Sequence, residues 1–160
     1  METFEIVPVR VGEFLVMPKA SLTYQVDFTT EMVAPVIMYL IKGRDKLVLV
    51  DTGGGDEEWA KKYHRPFRRP ADEAPAAALK KIGVNVEDIE LVVNTHLHWD
   101  HCFNNELFTK AKIYVQKLKF ADGNFHGRCG NGGGDFYRHM GSPDSTSVLF
   151  LYQIQKQEDQ

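Results

Sequence analysis

Thr95-His96-Leu97-His98-Trp99-Asp100-His101 is the stretch whose reading decides this chain. Three imidazoles and a carboxylate fall within six positions, directly behind the apolar run Ile89 to Val93. Such a run reads as a buried strand. His96 and His98 are two apart, so on extended backbone they point the same way and can face one ion. Asp100 and His101 follow in a tight turn or helix start and reach a second ion beside the first. Imidazole suits zinc, iron or nickel, and a carboxylate can join it on the same ion. Metal-activated water with a polarised carbonyl is the chemistry such a cluster serves. The target is then an ester, lactone, amide or thioester. Unrelated surface residues are a poor account of so dense a cluster.

Working outward, the flanks alternate strands and helices. Phe4 to Val11 is β-branched enough for a strand. Ser21 to Phe28 sets Leu22, Tyr24, Val26 and Phe28 against polar neighbours, the period of a half-buried strand. Val36 to Ile41 and Leu47 to Val50 flank Lys42-Gly43-Arg44-Asp45-Lys46 and read as a hairpin, in a sheet covered on both faces. Asp51-Thr52-Gly53-Gly54-Gly55 closes that strand as a plain strand-to-helix turn, without the lysine-serine pattern of a phosphate loop. Asp56, Glu57 and Glu58 suit the positive end of a helix running to Pro66. A second helix is expected from Asp72 as N-cap, with Ala78, Leu79 and Ile82 inward and Gly83 at its end. A short strand follows at Ile113 to Val115. The whole predicts an α/β layered fold with the cluster on loops at strand ends.

The 160 residues amount to one domain by size, and a 43% hydrophobic content gives it a core. The formal net charge of -3 and the lack of a long basic run exclude nucleic acid as main partner. The basic segment Lys61 to Arg69 reads as a solvated helix end and loop. No secretory signal opens the chain, and Pro35 to Ile41 is too short to span a bilayer. Cys102 and Cys129 have no zinc-finger spacing. They fit a reducing, cytoplasmic setting with no disulfide. Cys102 reads as a small buried thiol and Cys129 as a bystander. Phe14, Met17, Trp59, Tyr63 and Phe67 could line an apolar pocket for an acyl chain, and ordinary core packing accounts for them as well.

His96-Leu97-His98-Trp99-Asp100-His101 matches the His-x-His-x-Asp-His motif of the metallo-β-lactamase superfamily, which the chain therefore resembles. Leu49-Val50-Asp51-Thr52-Gly53 before a helix is similar to its strand-turn signature. His98 to Cys102, Asn104-Asn105 and Tyr114-Val115-Gln116-Lys117 look most like the N-acyl homoserine lactonase branch. The resemblance covers roughly Phe4 to Lys117, and it implies an αβ/βα sandwich of which this chain holds the N-terminal half. It implies two divalent metal ions, zinc foremost, with His96 and His98 on the first and Asp100 and His101 on the second. Asp100 would also be the catalytic group that assists protonation of the leaving alkoxide. Asp51 resembles the outer carboxylate that orients a ligand imidazole, and a turn or capping Asp is an equal reading of it. The implied activity is quorum-quenching lactone opening by a metal-bound hydroxide on a small-molecule substrate.

The chain departs from that pattern after Lys119. The family draws a third His, a bridging carboxylate and a last His from farther downstream. His126, Asp135 and His139 do not match that spacing and read better as ordinary surface groups. Residues 1–119 are thus expected to be the family-like part and 120–160 a tail, with a glycine-dense loop at Gly127 to Gly134 and a last strand at Val148 to Ile154. Half a sandwich leaves an apolar face open to pairing with a second copy. Two alternatives to the lactonase stand: a truncated, inactive metal-binding fragment, and a glyoxalase II-like thioester hydrolase.

Overall fold

The computed structural model describes residues 3–23 and 26–115. Strands β1 (Glu5–Pro18), β2 (Glu31–Lys42), β3 (Leu47–Val50), β4 (Phe67–Arg68), β5 (Leu91–Val93) and β6 (Lys112–Tyr114) build one sheet, in the order β4-β1-β2-β3-β5-β6. Helices α1 (Glu57–Tyr63), α2 (Pro75–Lys81) and α3 (Trp99–Cys102) fall between them. The first four strands of chain order pair antiparallel. β5 then runs parallel to β3, and β6 parallel to β5. Among the described residues no helix is long and apolar enough to cross a membrane.

The hairpin of β2 and β3 forms where the sequence predicts it, with Leu40 opposite Leu49. Both are fully buried, in register with Val92 and Ile113 across β5 and β6. Trp59 and Ala60 of α1 and Ala78 and Leu79 of α2 join the same core. Asp56 caps α1, its carboxylate accepting from the Trp59 N–H at 2.7 Å.

Four expectations need correction. β1 runs on to Pro18, because Glu13 and Phe14 find partners on both sides, Pro35 and Ala34 of β2 and Arg68 and Phe67 of β4. β4 itself lies hidden inside the basic segment. Gly12 permits the bulge there at φ +130°, since a Cβ would stand 2.3 Å from the Phe67 ring. Ser21 to Phe28 is not a strand in its described part. Lys19–Ser21 is a 3-10 turn, and the Thr23 hydroxyl donates to the Lys19 and Val26 carbonyls at 2.9 Å. Alternation without a neighbouring strand to pair with leaves Leu22, Val26 and Phe28 exposed. α2 begins at Pro75, not after Asp72, because a residue before proline is pushed to extended backbone and Ala74 sits at ψ 139°. Finally, the sheet is covered on one face among the described residues. Ile6, Tyr39 and Tyr114 on the other face are 62%, 42% and 44% exposed. The glycine-dense loop, the strand expected at Val148 to Ile154, and the boundary at 119 lie outside the described residues.

Leu40 tests this core. Leu40→Ala is expected to lower unfolding free energy by about 2–5 kcal/mol, measured by urea titration, with an unchanged slope.

Candidate metal centre

The cluster stands at the carboxyl ends of β3 and β5, where open parallel arrangements place their ligands. Asp51 leaves β3 with its N–H donated to the Val93 carbonyl at 3.0 Å. Its φ of 62° is left-handed, rare for a residue with a side chain. Three groups hold it there. The Thr95 N–H donates to Asp51 Oδ1 at 2.8 Å, the Thr95 hydroxyl to Oδ2 at 2.8 Å, and His101 Nδ1 lies 2.7 Å from Oδ2.

The helix carrying Asp100 and His101 is only one turn long, so its position comes from the loop beside it. The Thr52 N–H donates to the His101 carbonyl at 2.7 Å, and the Phe103 N–H to the Gly53 carbonyl at 3.2 Å. The Asn104 amide donates to the carbonyls of Thr52 and Gly54 at 2.8 and 2.7 Å. Gly53, at φ +77°, lets this backbone pass Val11, whose Cγ2 would be 2.7 Å from any Cβ.

The donor atoms fall into two adjacent pairs. His96 Nε2 and His98 Nδ1 are 2.9 Å apart, and His101 Nε2 and Asp100 Oδ2 are 3.4 Å apart. The His96 and His101 rings lie 4.0 Å centroid to centroid. Two ligands on one tetrahedral zinc at about 2.0–2.1 Å stand roughly 3.3 Å from each other. Each pair therefore has close to the spread of two ligands on one ion, and the donor chemistry fits. No group of three or more His, Cys, Asp or Glu side chains among the described residues is arranged to hold one ion.

Charge is distributed unevenly over the pairs. Burial lowers the His96 pKa, and the neighbouring His101 and His98 lower it further, so its ring is neutral and offers a lone pair. Burial works against the His101 cation too, yet the hydrogen bonds and charges of Asp100 and Asp51 outweigh it and raise His101 to about 9. Burial also opposes the Asp100 anion, and the His101 bond overcomes this to hold its pKa low.

Trp99, between the ligating candidates, is buried in an aromatic wall. Phe14, Phe67 and Trp59 have ring centroids 5.5, 5.5 and 5.1 Å from it. These residues are core packing, and they brace the loop from behind. His64 stacks on both Trp59 and Trp99, at 5.3 and 4.9 Å. Beside it a cavity of about 310 Å³ is lined by Glu57, Lys61, His64, Pro66 and Phe67.

The family model for the metallo-beta-lactamase superfamily matches residues 33–151. The chain belongs to the metallo-β-lactamase superfamily. Among curated relatives, the N-acyl homoserine lactonase AiiB of Agrobacterium fabrum is 32% identical over 95 residues, 54% of this chain and 34% of that protein. An N-acyl homoserine lactonase of Bacillus thuringiensis is 26% identical over 95 residues, 54% of this chain and 38% of that protein. The chain spans about a third of the length of these relatives. The fold is likewise similar to solved structures. A mutant of B. thuringiensis AiiA with N-decanoyl-L-homoserine bound at its active site gives a TM-score of 0.60 at 23% identity, covering 70% of this chain and 48% of that one. An N-acyl homoserine lactone hydrolase with N-hexanoyl-L-homoserine at its catalytic metal centre gives 0.59 at 22%, with 70% and 48% covered. The described residues thus form part of the metallo-β-lactamase fold, and the chain is related to lactonases.

The structure brings His96, His98, Asp100 and His101 together and sets Asp51 against His101. Cys102 is buried, its thiol 3.3 Å from the His98 carbonyl. His126, Cys129, Asp135 and His139 lie outside the described residues. Sequence reasoning missed Thr52, Asn94, Thr95, Asn104 and Asn105 as the groups that fix the loop. Their signal was faint: short polar residues bordering an apolar strand, which equally read as turn formers.

One consequence can be read from pH. In metal-free protein the His101 pKa is raised above its unfolded value of about 6.5. The stability it contributes is complete below that value and is lost as pH climbs through about 9. Melting temperature of the chelator-treated chain is expected to fall over that window, and Asp51→Asn to flatten the fall. An equal fall in wild type and Asp51→Asn would reject the assignment.

Proposed function

We propose that this chain carries the metal-binding side of a lactone-opening hydrolase, with an N-acyl homoserine lactone or close relative as its small-molecule substrate. The observation that supports it most is the pairing of His101 Nδ1 with Asp51, which turns His101 Nε2 toward Asp100. A carboxylate on one ring nitrogen of a ligand His fixes the tautomer and raises the basicity of the other nitrogen. In this reading His96 and His98 hold one divalent ion, and Asp100 and His101 hold a second, zinc in both cases. The ions supply Lewis-acid polarisation of the carbonyl and activation of water. The work of the chain's own residues is binding and proton handling. Thr95 and Asp51 keep His101 from turning. The wall around Trp99 excludes water behind the loop. Asp100, held ionised by His101, would accept the proton released by the attacking water and pass it to the leaving alkoxide as the lactone ring bond opens. The similarity to lactonases favours a lactone over a thioester. A reducing, cytoplasmic setting and a quorum-quenching role belong to the same proposal.

The test is turnover of the zinc-loaded 160-residue chain on an acyl-homoserine lactone and on a glutathione thioester. Lactone opening with little thioester cleavage is expected. Preferential thioester cleavage would move the proposal to the glyoxalase II-like alternative. No turnover of either would leave the inactive-fragment alternative. Asp51→Asn is expected to lower lactone kcat/KM roughly 10- to 100-fold.

A further inference from the structure

Behind the ligands lies a polar cluster that the reaction does not use. Asn94 follows β5, and its N–H donates to the Tyr114 carbonyl at 2.9 Å, so it is pinned to the sheet. Asn105 opens the 3-10 turn after α3. Their amides face each other: Asn105 Nδ2 donates to Asn94 Oδ1 at 2.9 Å, and Asn94 Nδ2 donates back to Asn105 Oδ1 at 3.3 Å. The Thr52 hydroxyl donates to the same Asn105 oxygen at 3.0 Å. All three side chains are buried. The cluster also meets the His101 carbonyl, with Asn94 Nδ2 and Thr52 Oγ1 each 3.4 Å from it, while the Thr52 N–H donates to it at 2.7 Å.

Buried polar groups are held to their partners because leaving one unpaired is costly. A reciprocal amide pair is satisfied at one separation and one relative orientation. It therefore fixes the distance between the end of β5, the loop after β3 and the short helix α3. Asp51 grips the imidazole of His101 from one side, and this cluster grips its backbone from the other. One turn of helix has no stiffness of its own to do this.

We infer that Asn94 and Asn105, with Thr52, form an amide latch that positions His101, and so sets how tightly and in what geometry the centre holds its metal. The inference rests on the metal-centre reading above. Asn94, Asn105 and Thr52 are positioning residues in this scheme.

The experiment is cobalt binding to the full chain, read by chelator competition and by the visible absorption of bound cobalt. Asn105→Leu keeps the size of the side chain and removes its hydrogen bonds. Cobalt affinity is expected to fall about tenfold or more, with a changed absorption spectrum. Asn94→Leu/Asn105→Leu removes both partners, so no amide is left unpaired between them. It keeps the test available where the single variant does not fold, and the same loss is expected. Leu79→Ala, in the core on α2, serves as the control for general loosening, and it should bind cobalt as the wild type does. Wild-type affinity and spectrum in a folded Asn105→Leu or double variant would overturn the latch. So would an equal loss of affinity in Leu79→Ala. A wild-type chain that binds no cobalt would overturn the metal-centre reading itself, and the latch with it.

Discussion

The structure turns on one carboxylate. Asp51 stands at the end of β3 in a left-handed conformation and spends its oxygens on Thr95 and His101, which belong to the loop after the next parallel strand and to the helix that follows it. A non-glycine residue at such a φ is unfavourable by itself, on the order of 1–3 kcal/mol. The Thr95 N–H, the Thr95 hydroxyl and the His101 imidazole offset that cost, and in doing so they tie two loops together. Without this link, the His101 imidazole would be free to turn away from Asp100. With it, His101 presents one nitrogen while the other is occupied. Chemistry at this site depends first on that choice.

Much of this was legible in the sequence, and the reasons differ by element. The hairpin of β2 and β3 follows from two apolar runs and a turn, all local signals. α1 follows from Asp56 and the acids behind it, also local. The His-Asp cluster was legible because few structures need such a density of ligands. What was not legible is what depends on distant pairing. β4 is two residues long and exists only because Glu13 and Phe14 of β1 offer an edge to Phe67 and Arg68. The expected strand at Ser21 to Phe28 had the right alternation and no neighbour to use it. The amide pair of Asn94 and Asn105 joins residues on opposite sides of the motif, and nothing in their spacing announces the contact.

The sheet has one finished face and one open face among the described residues. On the finished face Leu40, Leu49, Val92 and Ile113 form a row across four strands and belong to the same buried core as Trp59 and Ala60 of α1 and Ala78 and Leu79 of α2. Neighbouring positions on the other face, such as Tyr39 and Tyr114, stay exposed. The site sits at the strand ends rather than on either face. The hydrogen bonds that brace it fall within the described part: Asp51 to His101, Thr52 to His101, Asn104 to Thr52 and Gly54.

The central claim is that His96, His98, Asp100 and His101 bind metal in this chain. Metal content of the purified 160-residue protein after exhaustive desalting tests it most directly, by elemental analysis beside a His96→Ala/His98→Ala variant. The account predicts two zinc ions retained per wild-type chain, and a clear loss in the variant. A folded wild-type chain that retains no metal, or a variant that retains as much as wild type, would contradict it.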